Sequence, residues 1–257
     1  MSQRPLILVT NDDGITAPGL RKLISIMNTL GEVVVVAPDS PQSAMGHAIT
    51  INSTLYLEAV TIDDGPQKEY SCSGTPADCV KLAVNEILDR RPDLCVSGIN
   101  HGSNSSINVI YSGTMSAALE AGIESIPAVG FSLLDYSWSA NFDACEAFVK
   151  KIATNVLKNG LQDGVVLNVN IPKLDKDHIK GIKVCRQARA NWKEEFDKRT
   201  NPMGRDYYWL TGKFINMDHG EDTDEWALEN GYVSVVPVQF DLTAHHSIQQ
   251  LNTWDLK

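Results

Sequence analysis

Leu6-Ile7-Leu8-Val9-Thr10-Asn11-Asp12-Asp13-Gly14 runs a block of branched apolar residues straight into two adjacent aspartates and a glycine. A short apolar run of this kind has the composition of a strand buried on both faces, as in parallel sheets. Neighbouring carboxylates repel and are costly to bury, so a pair at the mouth of such a strand needs a cation or solvent. Two readings fit this stretch alone. One is a divalent-metal site; the other is a turn in which Asn11 and Asp12 only cap the next helix.

Outward from the acidic pair, strand and helix alternate. Thr16-Ala17-Pro18-Gly19 offers a cap and an early proline, and Leu20, Leu23, Ile24 and Met27 follow at helical spacing up to Gly31. Glu32 to Pro38 reads as a second buried strand, followed by a polar tract from Asp39 to Thr50. Residues 51 to 71 alternate weakly, as an excursion of short strands. Thr75-Pro76-Ala77-Asp78 has the form of a capped helix start. Asp93 to Gly98 is the next strand and runs into Asn100-His101-Gly102-Ser103-Asn104. A helix opening at Ser112-Gly113-Thr114, a strand from Ile126, a helix capped by Asn141 and a strand ending at Pro172 complete the pattern. This alternation predicts a Rossmann-like, doubly wound, mostly parallel α/β sheet over residues 1–172. Residues 173–257 read differently: strand-like pieces at Gly181 to Gln187, Tyr207 to Thr211 and Tyr232 to Val238, then a terminal helix near His245 to Trp254. Trp192, Trp209, Trp226 and Trp254 crowd into this part, as expected of a C-terminal extension swapped between subunits of a homo-oligomer. An ordinary capping subdomain is the alternative.

The chain has 257 residues, 43% of them hydrophobic, enough for a sizeable core. A net charge of -10 argues against coating nucleic-acid polymer or an anionic membrane. No apolar run reaches the roughly 20 residues of a membrane span, and Met1 to Pro5 hold no signal-peptide core. A cytoplasmic protein is expected. Five dispersed cysteines without a C-x-x-C read as core thiols rather than as disulfides or a zinc site.

In open parallel sheets, ligands sit beyond the carboxyl ends of the strands. Asp12, Asp13, Ser43 and Asn100 all fall in such loops, and carboxylate, hydroxyl and amide oxygens suit Mg²⁺, Mn²⁺ or Ca²⁺ better than zinc. Ser112-Gly113-Thr114 at a helix start suits an anion such as phosphate, and equally suits close helix packing. G-x-G-x-x-G, the P-loop, G-x-S-x-G and H-E-x-x-H are all missing, which removes support for dinucleotide oxidoreductase, P-loop kinase, serine hydrolase and zinc protease.

Five motifs in order carry a specific resemblance: Val9-Thr10-Asn11-Asp12-Asp13-Gly14, Gln42-Ser43-Ala44-Met45-Gly46-His47, Ser73-Gly74-Thr75-Pro76-Ala77-Asp78, Ser97-Gly98-Ile99-Asn100-His101-Gly102 and Tyr111-Ser112-Gly113-Thr114-Met115-Ser116. Together with Arg186-Gln187-Ala188-Arg189 and Tyr207-Tyr208-Trp209, they make the chain similar to the SurE survival-protein family over nearly its whole length. The resemblance implies a metal-dependent 5′-nucleotidase acting on nucleoside monophosphates, in some members also on 3′-nucleotides and short polyphosphate. It implies one divalent metal per subunit, Mg²⁺ or Mn²⁺ with Ca²⁺ a third candidate, held by Asp12, Asp13, Ser43 and Asn100. Asp12 and Asp13 would also be the catalytic pair, and Asn11, Asn104, Ser112, Gly113 and Thr114 the phosphate-facing set, in a dimer or tetramer. His101 departs from the family pattern and is assigned no catalytic role. Arg186, Arg189, Lys193 and Lys198 around Trp192 fit either a base or polyphosphate contact or a solvated arm. A sensing module that binds without turnover and a purely structural protein are the non-enzymatic rivals.

Overall fold

The apolar run at the N-terminus forms strand β1 (Leu6–Thr10), every residue of it buried. The structure is a computed structural model that describes residues 4–137 and 139–256; Met1 to Gln3, part of the basis for expecting no leader, lie outside them. Helix α1 (Pro18–Asn28) follows, then β2 (Glu32–Pro38), β3 (Leu57–Val60), β4 (Lys68–Cys72), α2 (Pro76–Leu82), β5 (Leu94–His101), α3 (Gly113–Ile123), β6 (Ala128–Leu133), α4 (Glu146–Asn159) and β7 (Val165–Ile171). The remainder holds β8 (Ile182–Val184), β9 (Ala190–Thr200), β10 (Asp206–Asn216), α5 (Asp224–Glu229), β11 (Val233–Gln239) and α6 (His245–Leu251).

Nine strands form one sheet in the order β3-β4-β2-β1-β5-β6-β7-β11-β8. From β4 to β7 all neighbours are parallel, and β3 and β11 pair antiparallel at either side. The chain leaves β1 toward β2 on one side and returns to β5 on the other. That reversal at β1/β5 is the topological switch point, where a crevice opens beyond the strand ends. Alternate side chains of β1 feed two cores: Ile7 and Val9 pack with α1 and α4 residues such as Leu20, Leu23 and Val149, whereas Leu6 and Leu8 pack with Cys79, Met115 and Ala118 of α2 and α3. Each fully buried Leu or Ile contributes roughly 2 kcal/mol, so the double burial pins the strand that carries the acids. All five cysteines are buried and free, as the core-thiol reading expects.

Local signals are followed in some places and not in others. Thr75 caps α2 in a full capping box with Asp78, as expected. Thr16 does not cap α1: Ala17 holds the cap position without a side-chain bond, and Pro18 opens the helix. Asn141 does not cap α4 directly; its Oδ1 accepts from the Asp143 N–H, starting a 3₁₀ turn that leads into the helix. Beyond residue 172, β11 and β8 continue the main sheet, and the Trp-rich segment forms a long hairpin, β9/β10, that stands clear of it. Helix α6 is the expected terminal helix, and none of its residues is buried.

One close approach fixes α1 over the site. A Cβ on Gly19 would collide with the backbone carbonyl of Ile99, just before Asn100. Gly19→Ala is expected to destabilise the fold by about 3 kcal/mol through overpacking against a backbone that cannot rotate away, read as a fall in the urea midpoint.

Candidate active site

The site is assembled from the loops that follow β1 and β2, from the start of α3 and from the end of β5, which runs on to His101 and so holds Asn100 within the strand and not in the loop expected after Gly98. Asp12 is buried and Asp13 half-buried. Thr114 donates to Asp12 twice, through its hydroxyl at 2.6 Å to Oδ1 and through its backbone N–H. Burial and then the neighbouring Asp13 push the Asp12 carboxyl up to about 6, with the Thr114 bonds opposing. Burial likewise raises Asp13, offset in part by His101, whose backbone N–H lies 3.4 Å from Asp13 Oδ2. The His101 ring packs edge-on against Phe142. Gly113 lies flat against the acid: a Cβ there would stand 2.7 Å from Asp12 Cβ and 2.9 Å from Oδ2. Ser112 accepts from Met115 N–H at 3.0 Å and caps α3. The side chains of Ser112 and Thr114 are thus committed within the protein, and the backbone around Gly113 is what this turn can offer an anion at the positive end of the helix.

Asn100 sits beyond a register shift in β5 between Ser97 and Asn100, alongside Gly98 at φ +129°. Bulges re-aim side chains in this way beside many active sites. Its amide nitrogen donates to the Gly102 carbonyl at 3.1 Å, so the amide oxygen is the end left to a cation. Asn104 is buried and fixed on the sheet side: its N–H donates to Asn170 Oδ1, its side chain to Ser132 Oγ, and Asn168 donates to its carbonyl, each at 2.8 Å.

Ser43 is exposed on the loop after β2, one residue past Gln42, whose N–H donates to the Asp12 carbonyl at 2.7 Å. That loop buries little apolar surface and is held by polar ties. His47 Nε2 is 2.8 Å from Glu120, a buried α3 carboxylate that also takes Lys81 at 2.6 Å. Thr50 donates to Asp78 at 2.6 Å. Glu120, Lys81 and Asp78 carry no isolated sequence signal for this task; their partners are distant in the chain.

The donor set fits a hard cation. Asn11 donates its amide nitrogen to the Gly14 carbonyl at 3.0 Å, and its Oδ1 is buried without a partner. The hydroxyls of Thr10, the last residue of β1, and of Ser97, its register partner in the middle of β5, are orphaned too. Among the described residues no three His, Cys, Asp or Glu gather to hold a metal, so an ion here would rest on two carboxylates and neutral oxygens, the preference of Mg²⁺, Mn²⁺ or Ca²⁺.

Of the four basic residues around Trp192, Arg186 and Lys198 are ion-paired. Arg186 grips Asp218 at 2.6 Å and Asp222 at 2.9 Å, which raises its pKa further, and Lys198 pairs with Asp206 at 2.6 Å. This favours the solvated-arm reading over a polyphosphate groove for these two.

Fold and site define a class: a doubly wound α/β protein with an acidic pair at the switch point of its sheet and a glycine-floored helix start beside it. The chain belongs to the SurE family, whose model, described as Survival protein SurE, matches residues 7–194. It is 74% identical over 254 residues to the 5′-nucleotidase SurE of Flavobacterium johnsoniae, covering 99% of this chain and 98% of the relative. To the 5′-nucleotidase SurE of Christiangramia forsetii it is 74% identical over 255 residues, with 99% and 98% covered. The crystal structure of the SurE protein from Aquifex aeolicus is similar with a TM-score of 0.84 at 39% identity, covering 96% of this chain and 98% of that one.

Proposed function

We propose that this chain is a metal-dependent 5′-nucleotidase that hydrolyses nucleoside 5′-monophosphates to nucleoside and phosphate. The observation that carries it is the Asp12/Asp13 pair, with Asp12 buried against Gly113 and Asp13 half-buried beside it, with relatives named 5′-nucleotidase SurE at 74% identity in support. Asp12, Asp13, Ser43 and Asn100 would hold one Mg²⁺ or Mn²⁺, which when bound supplies charge neutralisation at the phosphate and Lewis-acid activation of the attack. Thr114 fixes Asp12 in orientation, and its bonds favour the ionised carboxylate against the burial that raises its pKa. Asp13, less buried than Asp12 and raised in pKa, is the group to accept the proton of the attacking water and to return that proton to the nucleoside oxygen as its P–O bond breaks. The backbone at Gly113 and the Asn104 loop receive the phosphate oxygens, with Asn11 supporting the turn. 3′-Nucleotides and short polyphosphate belong to the same proposal as further substrates.

Residues 1–172 carry this chemistry, and 173–257 supply a swapped oligomerisation element. The hairpin exposes Phe196, Tyr208, Trp209 and Leu210, and an apolar groove of about 580 Å³ lined by Val109, Ile110, Leu119, Val236 and Leu242 lies at its base. Among the described residues no helix is long and apolar enough to cross a membrane, which accords with a cytoplasmic site of action; the net charge of -10 accords with mononucleotide rather than polymer substrates.

Phosphate release from AMP and GMP with Mn²⁺ or Mg²⁺, abolished by EDTA and restored by metal, is the expected result. Absence of release across a nucleotide and metal panel would leave a sensing module instead. Acid quenching during turnover should trap no phospho-enzyme; label on Asp12 or Asp13 would replace direct water attack by a covalent route.

A further inference from the structure

Asp224 is a fully buried carboxylate with no ion-pair partner among the described residues. It accepts backbone N–H bonds from two distant segments, Ser106 at 2.7 Å and Ala188 at 2.8 Å, and from its neighbour Glu225 at 2.9 Å. Ser106 is itself buried and left-handed at φ +51°, a conformation that costs a serine about 1 kcal/mol. Its hydroxyl bonds the Ala188 carbonyl at 2.8 Å and the Ala190 N–H at 3.2 Å. Ser105 bonds Glu225, and Trp192 Nε1 reaches Asn108 at 2.8 Å. The bonds of Ser105, Ser106 and Asn108 join the segment 105–108 to the root of the β9/β10 arm or to α5, and the Ala188 bond joins that root to α5. That segment runs from Asn104, anchored on β6 and β7, to Ser112 at the start of α3.

We propose that Asp224 is a positioning residue for phosphate binding: through Ser106 it registers the root of the arm against the segment between Asn104 and Ser112. It touches neither substrate nor metal in this scheme. The inference rests on the reading of Asn104 as a phosphate contact. A fully buried carboxylate satisfied by backbone donors from two distant segments acts as a template, since moving either one leaves a charge under-satisfied in a dry site.

The test uses the full-length protein with inorganic phosphate as competitive inhibitor and Mn²⁺ titrated by calorimetry. Asp224→Asn puts an amide N–H against a backbone donor. It is expected to raise the inhibition constant of phosphate by roughly tenfold, the scale of supporting contacts at such sites, with Mn²⁺ affinity changed less than about twofold. In an Asn104→Ala background the same substitution should add almost nothing, because coupled residues are not additive. Should Asp224→Asn fail to fold, Ser106→Ala, which removes only the hydroxyl link, should show the same pattern at several-fold. Full additivity with Asn104→Ala, or unchanged phosphate inhibition in Asp224→Asn, overturns the inference. If Asn104→Ala alone leaves phosphate inhibition unchanged, the reading of Asn104 fails, and the inference with it.

Discussion

Asp12→Asn is expected to lower kcat/KM for AMP with Mn²⁺ by ~10³-fold or more while making the metal-free protein more stable at neutral pH. The activity loss follows from removing one of the two carboxylates proposed to hold the ion, worth several kcal/mol at the phosphate. The stability gain follows from the sign of the pKa shift. Asp12 titrates at about 6 in the folded protein against 3.8 when unhindered. The folded state therefore holds the proton more tightly, and this group's contribution to stability falls as pH rises from near 3.8 through about 6, levelling off above. The full change is worth about 3 kcal/mol. Carboxylates lowered by partners, such as Asp241 beside Thr243 and His245, pull the whole protein the other way, so the difference between variant and parent isolates Asp12. Chemical denaturation in EDTA at pH 4.5 and pH 7.5 should show the advantage of the asparagine variant growing toward about 3 kcal/mol. Millimolar Mn²⁺ should reverse it by stabilising the parent alone. A variant that hydrolyses AMP normally would remove Asp12 from the site.

Gly113→Ala is expected to cost about 10²-fold in kcat/KM with a small loss of stability. Its Cβ would sit 2.7 Å from Asp12 Cβ and 2.9 Å from Oδ2, so the carboxylate must shift by several tenths of an ångström. Displacements of that order at a reacting centre carry penalties of this size. Gly113 keeps an ordinary helical backbone, and alanine is favoured in a helix, so the fold is largely spared. Steady-state kinetics with Mn²⁺ varied separate the causes. A higher metal requirement at near-normal saturated kcat would mean that only the ligand moved, whereas a lower kcat at saturating metal is expected if the phosphate cradle is closed as well.

The strands and helices of the core were readable because each obeys a local rule. β1 is a buried apolar run, α2 begins with a capping box at Thr75 and Asp78, and Val33 to Val36 permit little but a strand. The caps assigned to Thr16 and Asn141 were misplaced because a serviceable capping residue lay one to a few positions from the true helix start, and Pro18 and a 3₁₀ turn decided the boundary. Strand β9 escaped detection because its Lys-Glu-Glu-Phe-Asp-Lys-Arg run has no buried face to write an alternation. Helix α5 is only six residues long, too short for a periodic signal.

Along the chain alone, residue order determined which groups reach the carboxyl edge of the sheet. Asp12, Asp13 and Ser43 follow strands, Asn100 lies in the last residues of β5 where the sequence pattern places a loop, and the parallel run of β1, β2 and β5 puts all four at one end of the sheet. Only tertiary structure decided what each group does there. Thr114 and Asp12 meet across 102 residues, and His101 and Asp13 across 88. Contacts at such separation depend on which strands become neighbours and in what register. The same holds for Glu120 with His47 and for Asp224 with Ser106: a buried carboxylate looks like any acid in sequence, and its role is set by the donors that the fold brings to it.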